Sequence, residues 1–424
     1  MTPAKRFAEM KDSGIEWVGM IPKHWTTIAN KYVMHKEKRI CDKWDGQDVL
    51  SLTMNGVIIR DILNPVGKMP TTFDGYQFAY AGELLMCLFD IDVTPRCVGR
   101  VFNDGVTSPA YSCFQLHDNA DLGYFYYYYL MVDNTKELLH LAKNLRHSFT
   151  EEQLGQLKVP LPPLQEQSAI AAYLDTQCSK IDEIIAQAKA SIEDYKQWKV
   201  SIIHKVVTKG MGNNRPMKDS GILWIKKIPE SWSVRKLKFA IFPLERPVLN
   251  TDEVITCFRD GEVTLRKNRR TDGFTVSFTE HGYQGVEKGD LVIHGMDAFA
   301  GAIGCSDCRG KTTPVVHVCK TIGNNRYFMY ALRNMALSNV FTDFSNGVRI
   351  RSSDFRNFSK LGDFLIAIPP ITEQGEIVDY LDSMTSKIDM LVTEKQRLLD
   401  DLESYKKSLI YEVVTGKRRV ISNG

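Results

Sequence analysis

The sequence predicts an α+β protein in which two globular domains are separated by two long antiparallel helices forming a coiled coil, with a pseudo-two-fold internal repeat. Three observations lead there. Sequence blocks recur at a fixed offset of 207 residues, each copy changes character once at a Pro-Pro pair, and beyond that pair apolar residues fall every three or four positions while glycines almost vanish. The chain has 424 residues, 43% hydrophobic and 25% charged, which is ordinary globular composition, long enough for two to four domains. A disordered tail and a disulfide miniprotein are excluded.

The repeat fixes the organisation. Residues 11–25 read KDSGIEWVGMIPKHW and residues 218–232 read KDSGILWIKKIPESW; at the same offset PPLQEQSAIAAYLDTQCSKID (162–182) returns as PPITEQGEIVDYLDSMTSKID (369–389), and Gly75-Tyr76-Gln77 as Gly282-Tyr283-Gln284. Two units of 207 leave ten residues, 415–424, which match the segment 208–217 that leads into the second KDSG motif. The chain is therefore nearly cyclic, and its end is expected where it could feed its own beginning. Trp17, Trp25, Trp224 and Trp232 all belong to the repeated motif and are expected to anchor it locally.

These features divide the chain into an N-terminal repeat motif (1–25), a first globular domain (26–158), a central long helix (159–210), a linker with the second repeat motif (211–232), a second globular domain (233–363) and a C-terminal long helix with its tail (364–424). The globular segments are rich in glycine and aromatics, with short alternating runs such as 83–89 and 290–294 that suit strands. From Gln165 to Lys209 the apolar positions, among them Ile170, Leu174, Ile181, Ile184, Ile192, Trp198 and Val206, keep helical spacing, and the run from Thr372 does the same. Proline just ahead of each run suits a helix start. A helix of about 40 residues is about 60 Å long, more than one small globule can bury, so the two helices are expected to pair antiparallel with a domain near each end.

Several chemistries are missing. Gly310-Lys311-Thr312 ends like a phosphate-binding loop, but Cys305 stands where its first glycine is required; Gly210-Met211-Gly212 lacks the third glycine of a dinucleotide fingerprint and follows a helix. The Pro-Pro pairs follow Leu161 and Ile368, so no Asn/Asp-Pro-Pro-aromatic turn for adenine methyl transfer is present. Cys305-x-x-Cys308 with His317 and Cys319 could ligate zinc, yet one Cys pair without a clear second is a weak signal, and no metal site is expected. No catalytic residues emerge. The nine cysteines are odd in number and irregularly spaced, no apolar signal core opens the chain, and the longest apolar stretch, 124–132, is far too short to span a bilayer; reduced thiols and a cytoplasmic location are expected. The aromatic run at 124–129 reads as core, with base stacking the other reading.

Nucleic acid enters through where the charge sits. The net charge of +3 is small, but residues 26–158 hold 13 Lys and Arg against 16 Asp and Glu, whereas 233–363 hold 19 against 14. In the second domain Arg266, Lys267, Arg269 and Arg270 cluster around Asn268 in a stretch expected to project as a loop. A second polar set precedes each Pro-Pro junction: Asn144, Arg146, His147 and Ser148 in the first copy, and Ser345, Asn346, Arg349 and Arg351 in the second. Asn144, Arg146, His147, Arg266, Lys267, Arg269, Arg270, Ser345, Asn346, Arg349 and Arg351 are the candidate DNA-binding residues.

With its two D-S-G-I-x-W…I-P-x-x-W segments, its two P-P-[LI]-x-E-Q…Y-L-D…S-K-I-D helices and the dissimilar globules between them, the sequence resembles the specificity subunits of type I restriction-modification systems over essentially its whole length. The resemblance implies two target-recognition domains that each read half of a bipartite, asymmetric site in double-stranded DNA, and helices that dock two adenine-N6 methyltransferase subunits and, through them, restriction or motor subunits. It implies a non-catalytic chain that binds no cofactor, with S-adenosylmethionine, ATP and Mg used by the partner subunits. The matching partner-binding positions are Glu166, Gln167, Tyr173, Asp175 and Lys180, and Glu373, Gln374, Tyr380, Asp382 and Lys387. The rival reading is a non-DNA adaptor whose coiled-coil spacer presents two protein-binding domains.

Overall fold

The computed structural model describes residues 7, 9–65, 70–142, 148–212, 214–269, 281–343 and 355–420. Four helices organise it: α1 (Leu122–Thr135), α2 (Leu164–Lys209), α3 (Asn325–Leu337) and α4 (Ile371–Val414). The chain divides into two compact units, Met1–Lys189 with Arg397–Gly424, and Ala190–Gln396. Their borders fall inside α2 and α4 rather than at the helix ends, because each unit takes in the first part of one long helix and the last part of the other.

In the first unit the motif K-D-S-G builds a hairpin of Met10–Asp12 and Met20–Pro22. The Asp12 carboxylate accepts from the Gly14 N–H (2.9 Å), the Ser13 hydroxyl accepts from the Ile15 N–H (3.1 Å), and Gly14 turns the chain at φ 67°. The globular part holds a four-stranded antiparallel sheet in the order Val98–Arg100, Leu84–Met86, Ser112–Leu116, Met34–Glu37. Beside it lies a five-stranded sheet ordered Ile40–Cys41, Tyr76–Ala79, Gly105–Thr107, Val49–Thr53, Gly56–Ile59, in which only the third and fourth strands run parallel. The strand Lys158–Leu161 pairs with Thr26–Ala29 and delivers the chain into α2.

The second unit repeats the plan. Met217–Ile222 and Ile225–Pro229 form the same hairpin, with Asp219 accepting from the Gly221 N–H (2.9 Å). The four-stranded sheet reads Ile303–Cys305, Leu291–His294, Val316–Thr321, Ile241–Pro243, the same connectivity as in the first unit, and Ser233–Lys236 pairs with Leu365–Ile368 ahead of α4. Duplication is thus visible in topology where the domain sequences have drifted.

Helix α1 runs through the first core. Tyr124, Phe125, Tyr127, Tyr128 and Tyr129 are buried, and the hydroxyls find partners: Tyr124 donates to the Val414 carbonyl (3.0 Å), Tyr129 to the Asn30 side chain (2.6 Å), and Tyr128 accepts from the Trp17 indole (3.2 Å). The aromatic run is core, and a helix buried on nearly every side is what consecutive aromatics without periodicity allow. Trp25 and Trp232 are wholly enclosed, each edge-on to a helix tyrosine, Tyr124 and Tyr327.

The long helices pack antiparallel. In the first unit Ile170, Leu174, Cys178 and Ile181 of α2 share a core with Leu409, Ile410, Val413 and Val414 of α4. In the second, Val206 and Val207 of α2 join Ile377, Val378 and Leu381 of α4. The buried seam on α2, Leu174, Cys178, Ile181, Ala188, Ile192 and Val206, has separations of 4, 3, 7, 4 and 14 residues, all compatible with a heptad repeat. Ile184 and Trp198, which the apolar spacing also placed in the seam, flank it instead and are nearly half exposed. Lys199 falls on the seam, and its ammonium reaches Asp389 of α4 at 2.7 Å; its counterpart 207 residues on, Lys406, reaches Asp182 of α2 at 2.6 Å. One cross-helix pair is therefore written twice.

Both long helices stop on a left-handed glycine tucked under a repeat tryptophan: Gly210 (φ 73°) by Trp232 and Gly416 (φ 70°) by Trp25. Past Gly416, the Lys417 ammonium donates to the Val18 carbonyl (2.9 Å), so the end of the described chain packs on the first motif, where the near-cyclic sequence places it. No helix among the described residues is long and apolar enough to cross a membrane. Cys305 and Cys319 sit on opposite sides of the strand Leu291–His294, His317 donates to the Phe355 carbonyl (2.7 Å), and among the described residues no group of three His, Cys, Asp or Glu is arranged to hold a metal.

Seam lysines set register at a cost in stability. Replacing Lys199 and Lys406 together by leucine is expected to stabilise the protein by about 1 kcal/mol per site, since exposed ion pairs contribute little and burying leucine contributes more. Calorimetry should show a higher Tm; a lower one would mean that the pairs hold the helices together.

Candidate nucleic-acid interface and domain-helix contacts

Three of the eleven candidate DNA-binding residues fall among the described residues. Arg266, Lys267 and Arg269 follow the strand pair Ile255–Cys257 and Val263–Leu265 on a single 3-10 turn, Arg266–Asn268. Arg266 donates to the Thr256 hydroxyl (3.3 Å), Lys267 pairs with Glu253 (2.7 Å), and Arg269 lies over the Phe258 ring and pairs with Asp260 (2.6 Å) and Glu262 (2.8 Å). Lys267 and Arg269 are exposed and Arg266 is half-buried, each set against a neighbouring side chain. Exposed pairs of this kind contribute about 0–1 kcal/mol. Asn144, Arg146, His147, Arg270, Ser345, Asn346, Arg349 and Arg351 lie outside the described residues.

The ten helix positions split into two groups. Glu166, Gln167 and Asp175, with Glu373, Gln374 and Asp382, are engaged by the globular part of their own unit. Glu166 accepts from the Trp25 indole (2.9 Å) and from His24 (2.7 Å). Glu373 accepts from the Trp232 indole (3.0 Å) and from Arg215. Gln167 is fully buried: its amide N–H groups donate to the carbonyls of Pro162 (2.9 Å) and Asn119 (3.0 Å), and its carbonyl accepts from the Asp121 N–H (2.8 Å). Gln374 does the same with Pro369 (2.9 Å) and the Asn324 N–H (2.9 Å). Asp121 and Asn324 are the N-caps of α1 and α3, so each glutamine ties the start of a long helix to the start of a domain helix.

Asp175 and Asp382 make a second attachment. Asp175 takes a bidentate pair from Arg100 (2.7 and 3.2 Å) and a hydrogen bond from the Tyr127 hydroxyl (2.8 Å). Asp382 takes Arg326 (2.6 Å) and the Tyr330 hydroxyl (2.7 Å). Neither arginine stands out in the sequence; the available signals are Tyr127 within the aromatic run at 124–129 and a paired Asp at the offset of 207, which have no visible connection until the fold is known. Lys180, Tyr380 and Lys387 remain exposed on the helices, and Tyr173 packs at the edge of the first core.

Comparison with known proteins accords with this arrangement. Residues 86–194, from the strand Leu84–Met86 through α1 into α2, match the model of the type I restriction modification DNA specificity domain. The protein named as the MjaX type I restriction enzyme specificity subunit of Methanocaldococcus jannaschii is 27% identical over 287 residues, 64% of this chain and 62% of that protein. The type I restriction enzyme MjaVIII specificity subunit of the same organism is 25% identical over 283 residues, 62% of this chain and 63% of that protein. The matches thus span under two thirds of these relatives. Among solved structures, a chain from work on complex assembly and conformational transition of the type I R-M system superposes with a TM-score of 0.66 at 13% identity, over 93% of this chain and 98% of that one. The HsdS subunit from Thermoanaerobacter tengcongensis gives 0.52 at 14% identity with the same coverage. The protein is a duplicated α+β chain whose fold is that of these solved structures. Over residues 86–194 it is similar to the type I restriction modification DNA specificity domain.

Burial alone would raise the Asp175 carboxyl, but the hydrogen bonds from Arg100 and Tyr127 outweigh it and hold the group below its ordinary value. A lowered carboxylate stabilises the fold above the ordinary Asp value of about 3.9 and loses that contribution as pH falls through the lowered value. The stability difference between the native protein and Asp175→Asn is expected to be open at pH 7 and to close as pH falls below the ordinary Asp value and through the lowered one, measured by urea denaturation across pH. A gap that persists unchanged at low pH would assign the effect to the amide itself.

Proposed function

We propose that this chain selects the DNA sites of a type I restriction-modification complex. Each globular domain reads one half of a bipartite, asymmetric site in double-stranded DNA, and the long helices dock two adenine-N6 methyltransferase subunits, through which restriction subunits join. The observation that carries the reading is one scaffold built twice around two unlike domains. The Trp-Glu, Gln-cap and Asp-Arg-Tyr contacts recur in both units, while the domains they hold differ in net charge from −3 to +5. Two different readers on one frame yield a split target whose halves are unrelated. An adaptor for proteins gives no reason for the match to a DNA specificity domain.

In this reading the chain itself catalyses nothing. S-adenosylmethionine, ATP and Mg serve the partner subunits, and the complex works in the cytoplasm, where host DNA lies. Phosphate contacts position such a protein and base-edge contacts specify its site. The exposed Lys267 and Arg269 suit the first role.

The test is a map of N6-methyladenine in host DNA with and without this chain. A motif of two short half-sites separated by unspecified bases should lose methylation when the chain is removed; an unchanged map would return the adaptor reading. Replacing Arg349 and Arg351 by alanine should weaken DNA binding by the assembled complex at moderate salt, about 10-fold or more if both meet phosphate or bases, while the methyltransferase subunits still co-purify. Unchanged affinity would remove that pair from the interface.

A further inference from the structure

We infer that Arg100-Tyr127-Asp175 and Arg326-Tyr330-Asp382 are positioning clamps that fix the angle at which each reading domain meets its helix, and so how strictly the complex enforces half-site separation. The inference rests on the DNA-reading role proposed above. Each domain is already tied to the start of its long helix, through Glu166 and Gln167 or through Glu373 and Gln374. One attachment leaves a pivot. The clamp carboxylate lies nine residues further along in both copies, about 13 Å at 1.5 Å per residue, and a second attachment at that distance removes the rocking freedom about the first.

The two clamps share a carboxylate and a tyrosine but not the source of their arginine. Asp175 and Asp382 are related by the repeat, and each tyrosine lies six residues past its helix N-cap, Asp121 or Asn324. In the second unit the arginine is Arg326, two residues past the cap; the same place in α1 is Gly123, and the guanidinium arrives instead from the strand residue Arg100. A Cβ on Gly123 would lie 2.7 Å from the Ala171 Cβ, so the glycine is what lets α1 approach α2 this closely, with the strand arginine in ordinary contact beside it at 3.5 Å. Two dissimilar domains thus deliver a guanidinium to one helix carboxylate by different routes.

Stability is the smaller part of it. The Asp175 and Asp382 side chains are 45% and 33% exposed, and partly exposed pairs contribute about 1 kcal/mol or less to folding. What an arginine–carboxylate pair supplies, especially in its bidentate form, is direction. A positioning role therefore predicts a change in which sites are accepted, with little change in folding.

The experiment uses the full chain with its methyltransferase subunits in cells and compares native protein, Arg326→Leu, Arg326→Lys and Asp382→Asn by adenine-methylation mapping. The bases read in each half should stay the same. Methylation at sites whose halves are one base pair closer or further apart, relative to native sites, should rise about fivefold in Arg326→Leu and Asp382→Asn, the equivalent of one lost ion pair, with Arg326→Lys between. A uniform drop in methylation with unchanged spacer strictness would make the contact merely structural and overturn the clamp, and so would native behaviour of all three variants. If the native chain itself directs no split motif, the DNA-reading role fails first, an outcome visible before any variant is compared.

Discussion

The arrangement depends on two buried glutamines. Gln167 and Gln374 sit one turn into the long helices, where each bridges the last carbonyls before its own helix and the N-cap amide of a domain helix. A buried amide is costly unless its donors and acceptor are met, and the three bonds of Gln167 and the two of Gln374 form only when proline corner, helix start and domain helix stand in one geometry. The neighbouring glutamates add the same demand on Trp25 and Trp232. Polar groups in an apolar setting specify the joint more sharply than apolar packing would, because a small displacement leaves a donor without an acceptor.

Around that joint the two units are free to differ. The four-stranded sheet, the strand before each long helix and the hairpin of the repeated motif keep their connectivity. The rest departs: a five-stranded mixed sheet occupies the first domain, and two-stranded ribbons with paired charges occupy the second. Such a division lets the domain surfaces differ without disturbing the frame, and places the hydrogen bonds that recur in both units where each domain attaches.

Much of the frame was legible in the sequence because it is periodic or repeated. The two long helices begin within one residue of where the spacing put them, and the duplication announced that contacts in one copy would recur in the other. The seam was less legible: Ile184 and Trp198 satisfy helical spacing equally well but flank it, since periodicity finds a face without finding its centre. Arg100 and Arg326 could not have been found, because a guanidinium reaching one carboxylate from a strand in one domain and from a helix in the other leaves no common pattern. The cluster at 266–269 was seen as charge, while its partners Glu253, Asp260 and Glu262 were not, for the hairpin that gathers them is a matter of strand pairing.

The first unit is discontinuous: its core needs Leu409, Ile410, Val413 and Val414, while the second unit is the single run Ala190–Gln396. On the ribosome the second unit can therefore close before the first, although it is made later. At about 5–20 residues per second, the first domain waits roughly 10–40 s for the helix that covers it. During that interval Ile170, Leu174 and the ring of Tyr124 lack their apolar cover, so biosynthesis exposes a sticky nascent surface, and any chaperone that protects this chain has most to do at its beginning rather than its end.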